Sequence, residues 1–268
     1  MPSPSTKVAA RLAGGIKQFQ PVLTAAKARD INESETVTIV KDMLGDVFGF
    51  DKYADVTSEY AIRGTYVDLA LKVDGKLHLL IEVKAIGQNL EDRHTKQAVD
   101  YGANQGIEWV VLTNGVQWQT YRITFGKPIQ QELVMETDFL ALSPRNSSHV
   151  DGLFPLTKEG IVKSALHAHH EQRQATNRFV LGAIIQSDTV LELVRREVRR
   201  LSPNVRIDVI GLRDLIAQEV LKRDVVEGDK AVEARAKVRR AAARRLRITS
   251  PTDAPQKAVP PEEDTPPA

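Results

Sequence analysis

Glu82 and Lys84 stand two residues apart in the apolar run "LLIEVK", residues 79–84. Alternation along a strand sends both side chains to one face, where either charge alone is costly to bury. A solvated strand edge carrying an ordinary ion pair is one reading. The other is chemical. Carboxylates at such a place would hold a hard divalent cation, which prefers oxygen ligands and keeps several waters. A lysine beside them would orient a water or stabilise developing negative charge.

Strand register decides whether a second carboxylate joins. "LALKVDGKLHLLIEVK" contains a Val-Asp-Gly-Lys turn and so predicts a hairpin. Leu69, Leu71 and Val73 form the apolar face of its first strand, and Leu77, Leu79, Ile81 and Val83 that of its second. Both sets are odd-numbered, so paired residues must sum to an even number. A two-residue Asp74-Gly75 loop would pair Val73 with Lys76 and expose one apolar row. A three-residue loop over 73–75, with Gly75 left-handed, restores the match. Asp68 then lies opposite Leu80 and diagonal to Glu82, about 7–8 Å away at the backbone. The expected constellation is Asp68, Glu82 and Lys84.

The elements that must position it are legible in outline. Residues 16–29 read as a helix, and a second runs from about Glu33 to Val47 with Asn32 as its N-cap. Strands follow at "DVTSEYAI", "TYVDLALKV" and "KLHLLIEVK", then a helix over about 90–105. "IEWVVLT" and "VQWQTYRIT" flank an Asn114-Gly115 turn, with Trp109 and Trp118 in or beside the core, and "PIQQELV" is a last extended piece. The fold class is α/β (α+β): a mixed sheet flanked by helices, followed by a helical C-terminal region. The parts expected are a helical arm over 1–30, the sheet domain over 31–142 and a polar linker over 143–156. A basic helical domain over 157–248 and a Pro-rich acidic tail over 249–268, expected to be disordered, follow.

The chain has 268 residues, 42% of them hydrophobic, and no cysteine. The missing cysteines exclude disulfides, thiolate metal sites and cysteine nucleophiles, and fit a reducing cytoplasm. No run approaches the ~20 apolar residues of a membrane span, and the N-terminus has no signal-like apolar core. A soluble cytoplasmic protein is expected. The net charge of +2 hides an asymmetry: residues 161–248 carry 19 Lys+Arg against 11 Asp+Glu. Such a basic third suits a polyanion partner.

Taken together these motifs resemble the PD-(D/E)xK nucleases, with Asp68, Glu82 and Lys84 at the three signature positions. The likeness extends to the N-terminal nuclease domain of the restriction subunit of type I restriction enzymes. It runs from "NESET" (32–36) through "SEY", "VDLAL", "IEVKAIGQNL" and "QAVDY" (97–101) to "VLTNGVQWQTY" (111–121). The resemblance implies a restriction-endonuclease-like sheet and a metal-dependent DNA endonuclease using Mg2+ or Mn2+. Asp68, Glu82 and Glu33 would be its acidic and metal-binding residues, with Lys84 as the catalytic lysine. Gln97 and Tyr101 would face the site from a Gln-x-x-x-Tyr helix. Glu35 rivals Glu33, since the two lie about 200° apart on a helix. Protein partners from a restriction or defence system are implied as well. The sequence has no G-x-x-x-x-G-K-[ST] phosphate loop, so ATP use does not carry over. A non-catalytic DNA-binding or partner-binding module that keeps the nuclease fold is the alternative.

In the helical third, "RREVRR" and "KVRRAAARRLR" nominate Arg195, Arg196, Arg199, Arg200, Arg239, Arg240, Arg244 and Arg245 as phosphate contacts. Solvated helix faces with internal ion pairs are the competing reading. "VLGAII" and "LRDLIAQEVL" offer a surface for a partner or a second copy. "HAHH" at 167–170 lacks spaced acidic partners and reads as a surface helix rather than a metal site.

Overall fold

In the computed structural model, residues 2–62 and 65–249 are described. The side chains of Ile62, Thr65, Asp92, Gln97 and Ala98 and those of 245–249 are excepted. The expected tail lies outside the described residues, apart from its first residue, Thr249. The chain divides between Arg173 and Gln174 into two units.

The first unit is built on a six-stranded sheet whose strands lie in chain order. These are β1 (Val56–Ile62), β2 (Thr65–Val73), β3 (Lys76–Val83), β4 (Trp109–Thr113), β5 (Gln117–Thr124) and β6 (Gln130–Asp138). All neighbours are antiparallel except β3 and β4, which run parallel because α3 (Asp92–Gln105) carries the chain back between them. Where they pair, over 80–83 and 110–113, β3 and β4 are buried, as a parallel pair covered on both faces must be.

On one sheet face lie α1 (Thr6–Ala28) and α2 (Glu33–Asp46). The α1 helix starts ten residues before the expected position, capped by Ser5. Its Val8, Leu12, Ile16, Phe19 and Leu23 recur at three- and four-residue intervals and are buried in the main core. The expected arm is thus a wall of the sheet. Residues 143–173 are integral too. The helix α4 (Ser147–Leu153) and the turn after it bury Val150, Leu153, Phe154 and Leu156 in the same core, although Ser, Asn and Asp dominate the stretch's start. In α5 (Lys158–Val162), Lys158 pairs with buried Asp55 at 2.6 Å, and Glu159 takes both ends of the Arg11 guanidinium at 2.8 and 2.6 Å. The "HAHH" stretch lies in α6 (Ala165–Thr176) and packs on the sheet. His167 accepts from Trp109 Nε1 at 3.1 Å, and His170 is buried between Arg122 and Glu132. A surface helix was expected there; aromatic and ion-pair partners on β4–β6 turn these two imidazoles inward.

The second unit is helical, with α7 (Arg178–Ile185), α8 (Asp188–Leu201), α9 (Val209–Leu215), α10 (Arg223–Val226) and α11 (Asp229–Thr249). Two small clusters hold it: Val180 and Ala183 with Ala234, and Leu191 with Leu212 and Ile216. Among the described residues, no helix is long and apolar enough to cross a membrane.

If α1 is structural, Leu12→Ala should destabilise the first unit by about 3 kcal/mol, as expected for a fully buried leucine. Urea unfolding should show a lower midpoint with an unchanged slope; an unshifted midpoint would mean that α1 is dispensable.

Candidate active site

The β2–β3 hairpin differs from expectation at its turn and reaches the same parity by another route. Val73 pairs with Lys76, so the loop is the two residues Asp74 and Gly75, with φ of 51° and 73°. Positive φ at both positions is the type I′ pattern. The register then shifts: Lys72 faces Leu77, but Leu71 faces Leu79, leaving His78 as the extra residue of a β-bulge. Leu77 therefore turns to the second sheet face and joins the cluster of Val67, Ala70 and Leu80. Beyond the bulge the sums are even, with Leu69 opposite Ile81. Continuing by one residue sets Asp68 level with Glu82 rather than diagonal to it.

Asp68 sits where the ladder ends. Its Oδ2 accepts the Val83 backbone N–H at 2.7 Å. Lys84 continues β3 on its other side, its N–H donating to Thr113 O at 2.8 Å. Its ammonium donates to Glu82 Oε1 at 2.8 Å and lies 3.6 Å from Glu33 Oε2. The Glu82 side chain is 3% exposed, and its Oε2 is buried without a hydrogen-bond partner among the described residues. Asp68, Glu82, Lys84 and Glu33 thus meet at the C-terminal end of the parallel pair.

The α2 start separates the two glutamates. Glu35 forms a capping box with Asn32: its N–H donates to Asn32 Oδ1 at 2.9 Å, and its Oε2 accepts from Asn32 N at 3.3 Å. Glu33 is left to reach Lys84. On α3, Tyr101 packs against the second cluster, with Val99 and Ala103. The Gln97 side chain lies outside the described residues.

Burial, and then the nearby Asp68 carboxylate, push Glu82 up from 4.5 to about 7. Burial also raises Asp68, against the pull of the Val83 N–H and Lys84. Burial works to lower Lys84, but its contact with Glu82 and the nearby carboxylates prevail and raise it. Lys84 is therefore an ammonium throughout the physiological range.

Two further titratable groups were not singled out by spacing. Glu59 falls at the β1 position level with Asp68, between the pairs Ser58–Leu69 and Tyr60–Val67, and has φ 49°. Its carboxylate helps to raise Asp68. Left-handed backbone in a glutamate is strained, and such strain gathers at functional sites. Hairpin register applied to "SEY" would have found it. His94, buried at the start of α3, accepts the Glu91 N–H at Nδ1. Burial, with Arg93 and Lys84, keeps it neutral to lower pH than usual. No spacing rule points to it.

The donors fit a divalent cation: a buried carboxylate oxygen without a partner lies beside a second carboxylate, and a cation would relieve their repulsion. Among the described residues, no group of three or more His, Asp or Glu side chains is gathered to hold a metal. Glu33, expected as a third ligand, is on Lys84 instead. Asp68 and Glu82 are the two residues that could hold such a cation, which would need other oxygen ligands besides.

Residues 50–135 match the family model described as type I restriction enzyme R protein N terminus (HSDR_N). The match runs from just before β1 into β6 and supports a nuclease-like, restriction-related role. No curated protein and no solved structure gives a significant match.

Glu82 also sets a pH dependence. Its folded-state value lies above its ordinary 4.5, so its contribution to stability is present below about pH 4.5 and lost as pH rises to about 7. Asp68 is shifted the same way; Lys84 stays charged across this window. With EDTA present, stability from this group should fall by on the order of 3 kcal/mol between pH 4.5 and 8. Glu82→Gln should flatten that fall. Chemical denaturation of both proteins across the range is the measurement, and equal pH slopes would refute the assignment.

Proposed function

We propose that the first unit is a metal-dependent PD-(D/E)xK endonuclease that hydrolyses phosphodiester bonds in DNA. The observation that carries the reading is the orphaned buried oxygen of Glu82, beside Asp68 and in contact through its twin oxygen with Lys84. Magnesium or manganese bound by Asp68 and Glu82 would supply the charge that polarises the phosphate and acidifies a water. Asp68 keeps its aim because Oδ2 is anchored on Val83 N–H, leaving Oδ1 for the site. Lys84 holds its proton, so it acts as a fixed positive charge beside the scissile phosphate and stabilises the negative charge that grows in the transition state. Glu33, half-exposed, holds the ammonium from the open side and keeps it from swinging into solvent. The match to a type I restriction enzyme R protein N terminus supports choosing DNA as substrate and a restriction or defence system as the setting.

The second reading is a DNA-binding or partner-binding module that keeps the fold without turnover. It draws on the missing third acidic ligand among the described residues.

Supercoiled plasmid with magnesium separates the two. Wild type should nick or linearise it, and Asp68→Ala, Glu82→Gln and Lys84→Ala should each lose at least a hundredfold in rate while still binding DNA. Glu33→Gln should slow cleavage, whereas Glu35→Gln should cost only the cap, up to about 1 kcal/mol of stability. No cleavage by wild type with magnesium or manganese, alongside intact DNA binding, would favour the binding module.

A further inference from the structure

In the helical unit, Arg195 and Arg199 stand one turn apart on α8 and line a groove of about 770 Å³ with Arg206 of the following loop. Most arginines around them are committed. Of the eight from Arg178 to Arg223, five have a carboxylate within 4 Å. Arg196, Arg199 and Arg206 have no such partner among the described residues. Two of these three therefore converge on one groove, where Arg195, held by Glu192 at 2.7 Å, adds a third guanidinium. The lining holds one acid, Asp208, which caps α9 through Oδ1, accepting the Gly211 N–H at 2.7 Å, and makes no ion pair with the groove arginines among the described residues.

Three guanidinium groups outnumber the one carboxylate in the lining, and an anion seated among them offsets the repulsion that remains. Their planar forks suit phosphate oxygens. The groove is open rather than enclosed, and Val205 and Ile207 give it apolar wall between the charges. That combination suits a chain of phosphates with intervening sugars better than a small enclosed anion. We propose that the Arg195–Arg199–Arg206 groove binds the phosphate backbone of DNA. The proposal rests on the nuclease reading only for the choice of DNA; the groove stands apart from Asp68, Glu82 and Lys84 in the chain and in its chemistry. It also divides the "RREVRR" run: Arg195 and Arg199 belong to the groove, while Arg200 is tied to Glu197 at 2.8 Å.

The test uses the full chain and a fluorescent duplex of about 20 base pairs in EDTA, so that binding is read without cleavage. Arg199→Gln/Arg206→Gln is compared with Arg196→Gln/Arg200→Gln, which removes the same charge outside the groove. Circular dichroism on all proteins checks the fold, and Arg199→Lys/Arg206→Lys keeps the charge should the glutamine pair misfold. The groove variant should bind several-fold more weakly, with a salt slope shallower by about 2, one per lost phosphate contact. The control should stay close to wild type, and the lysine variant should keep the slope. Equal losses in both glutamine pairs, or no loss in either, would overturn the proposal. So would saturable binding of inorganic phosphate that the groove variant loses while duplex affinity holds, since the groove would then serve a small anion. Plasmid cleavage by wild type is scored separately, so a failed groove and a failed nuclease give different results.

Discussion

The contact on which the first unit's chemistry turns is the one between Lys84 and Glu82, two charges held at the buried end of a strand. Neither would be tolerated there alone, because an isolated buried charge shifts its protonation instead. Together they reach an uneven truce: Lys84 stays an ammonium, while Glu82 is pushed to about 7 with one oxygen still unpartnered. Such a pair contributes little to stability, since desolvation opposes its attraction. The surrounding fold supplies the rigidity: Lys84 N–H is in the ladder with Thr113, and Asp68 is latched to Val83 N–H.

Much of this was legible in the sequence because the sheet obeys alternation. The limits of β2, the start of α2 at its Asn32 cap, and the even pairing sum beyond the turn all follow from apolar parity and cap chemistry. The turn itself was misread, since parity constrains only the sum and does not say whether a loop residue or a bulge supplies the correction. Glu33 and Glu35 could be separated only once a capping box was seen to claim Glu35. Glu59 and His94 stayed hidden for different reasons. Strained backbone at Glu59 leaves no compositional trace, and the burial of His94 depends on how the loop before α3 folds. The start of α1 and the helix after Asn146 were missed because Ser, Asn and Gly there outweigh a thinner set of buried apolar side chains.

The two units are held by different physics. In the first, a continuous core runs through both helices and the sheet. The second relies on two small clusters and on surface ion pairs, each worth at most about 1 kcal/mol. Leaving Arg199 and Arg206 without a carboxylate partner there costs the fold little. The charge asymmetry of the chain is thus carried where stability depends least on neutralising it.

The bulge at His78 acts as a phase adjuster between turn and site. Upstream of it the hairpin counts to an odd sum, as the tight Asp74-Gly75 turn demands; downstream it counts to an even one. With His78 kept but paired in step, facing Leu71, the odd sum would persist and Asp68 would align with Ile81 instead of Glu82. The pairing of the two carboxylates is therefore encoded four residues before Glu82, in a position that touches neither.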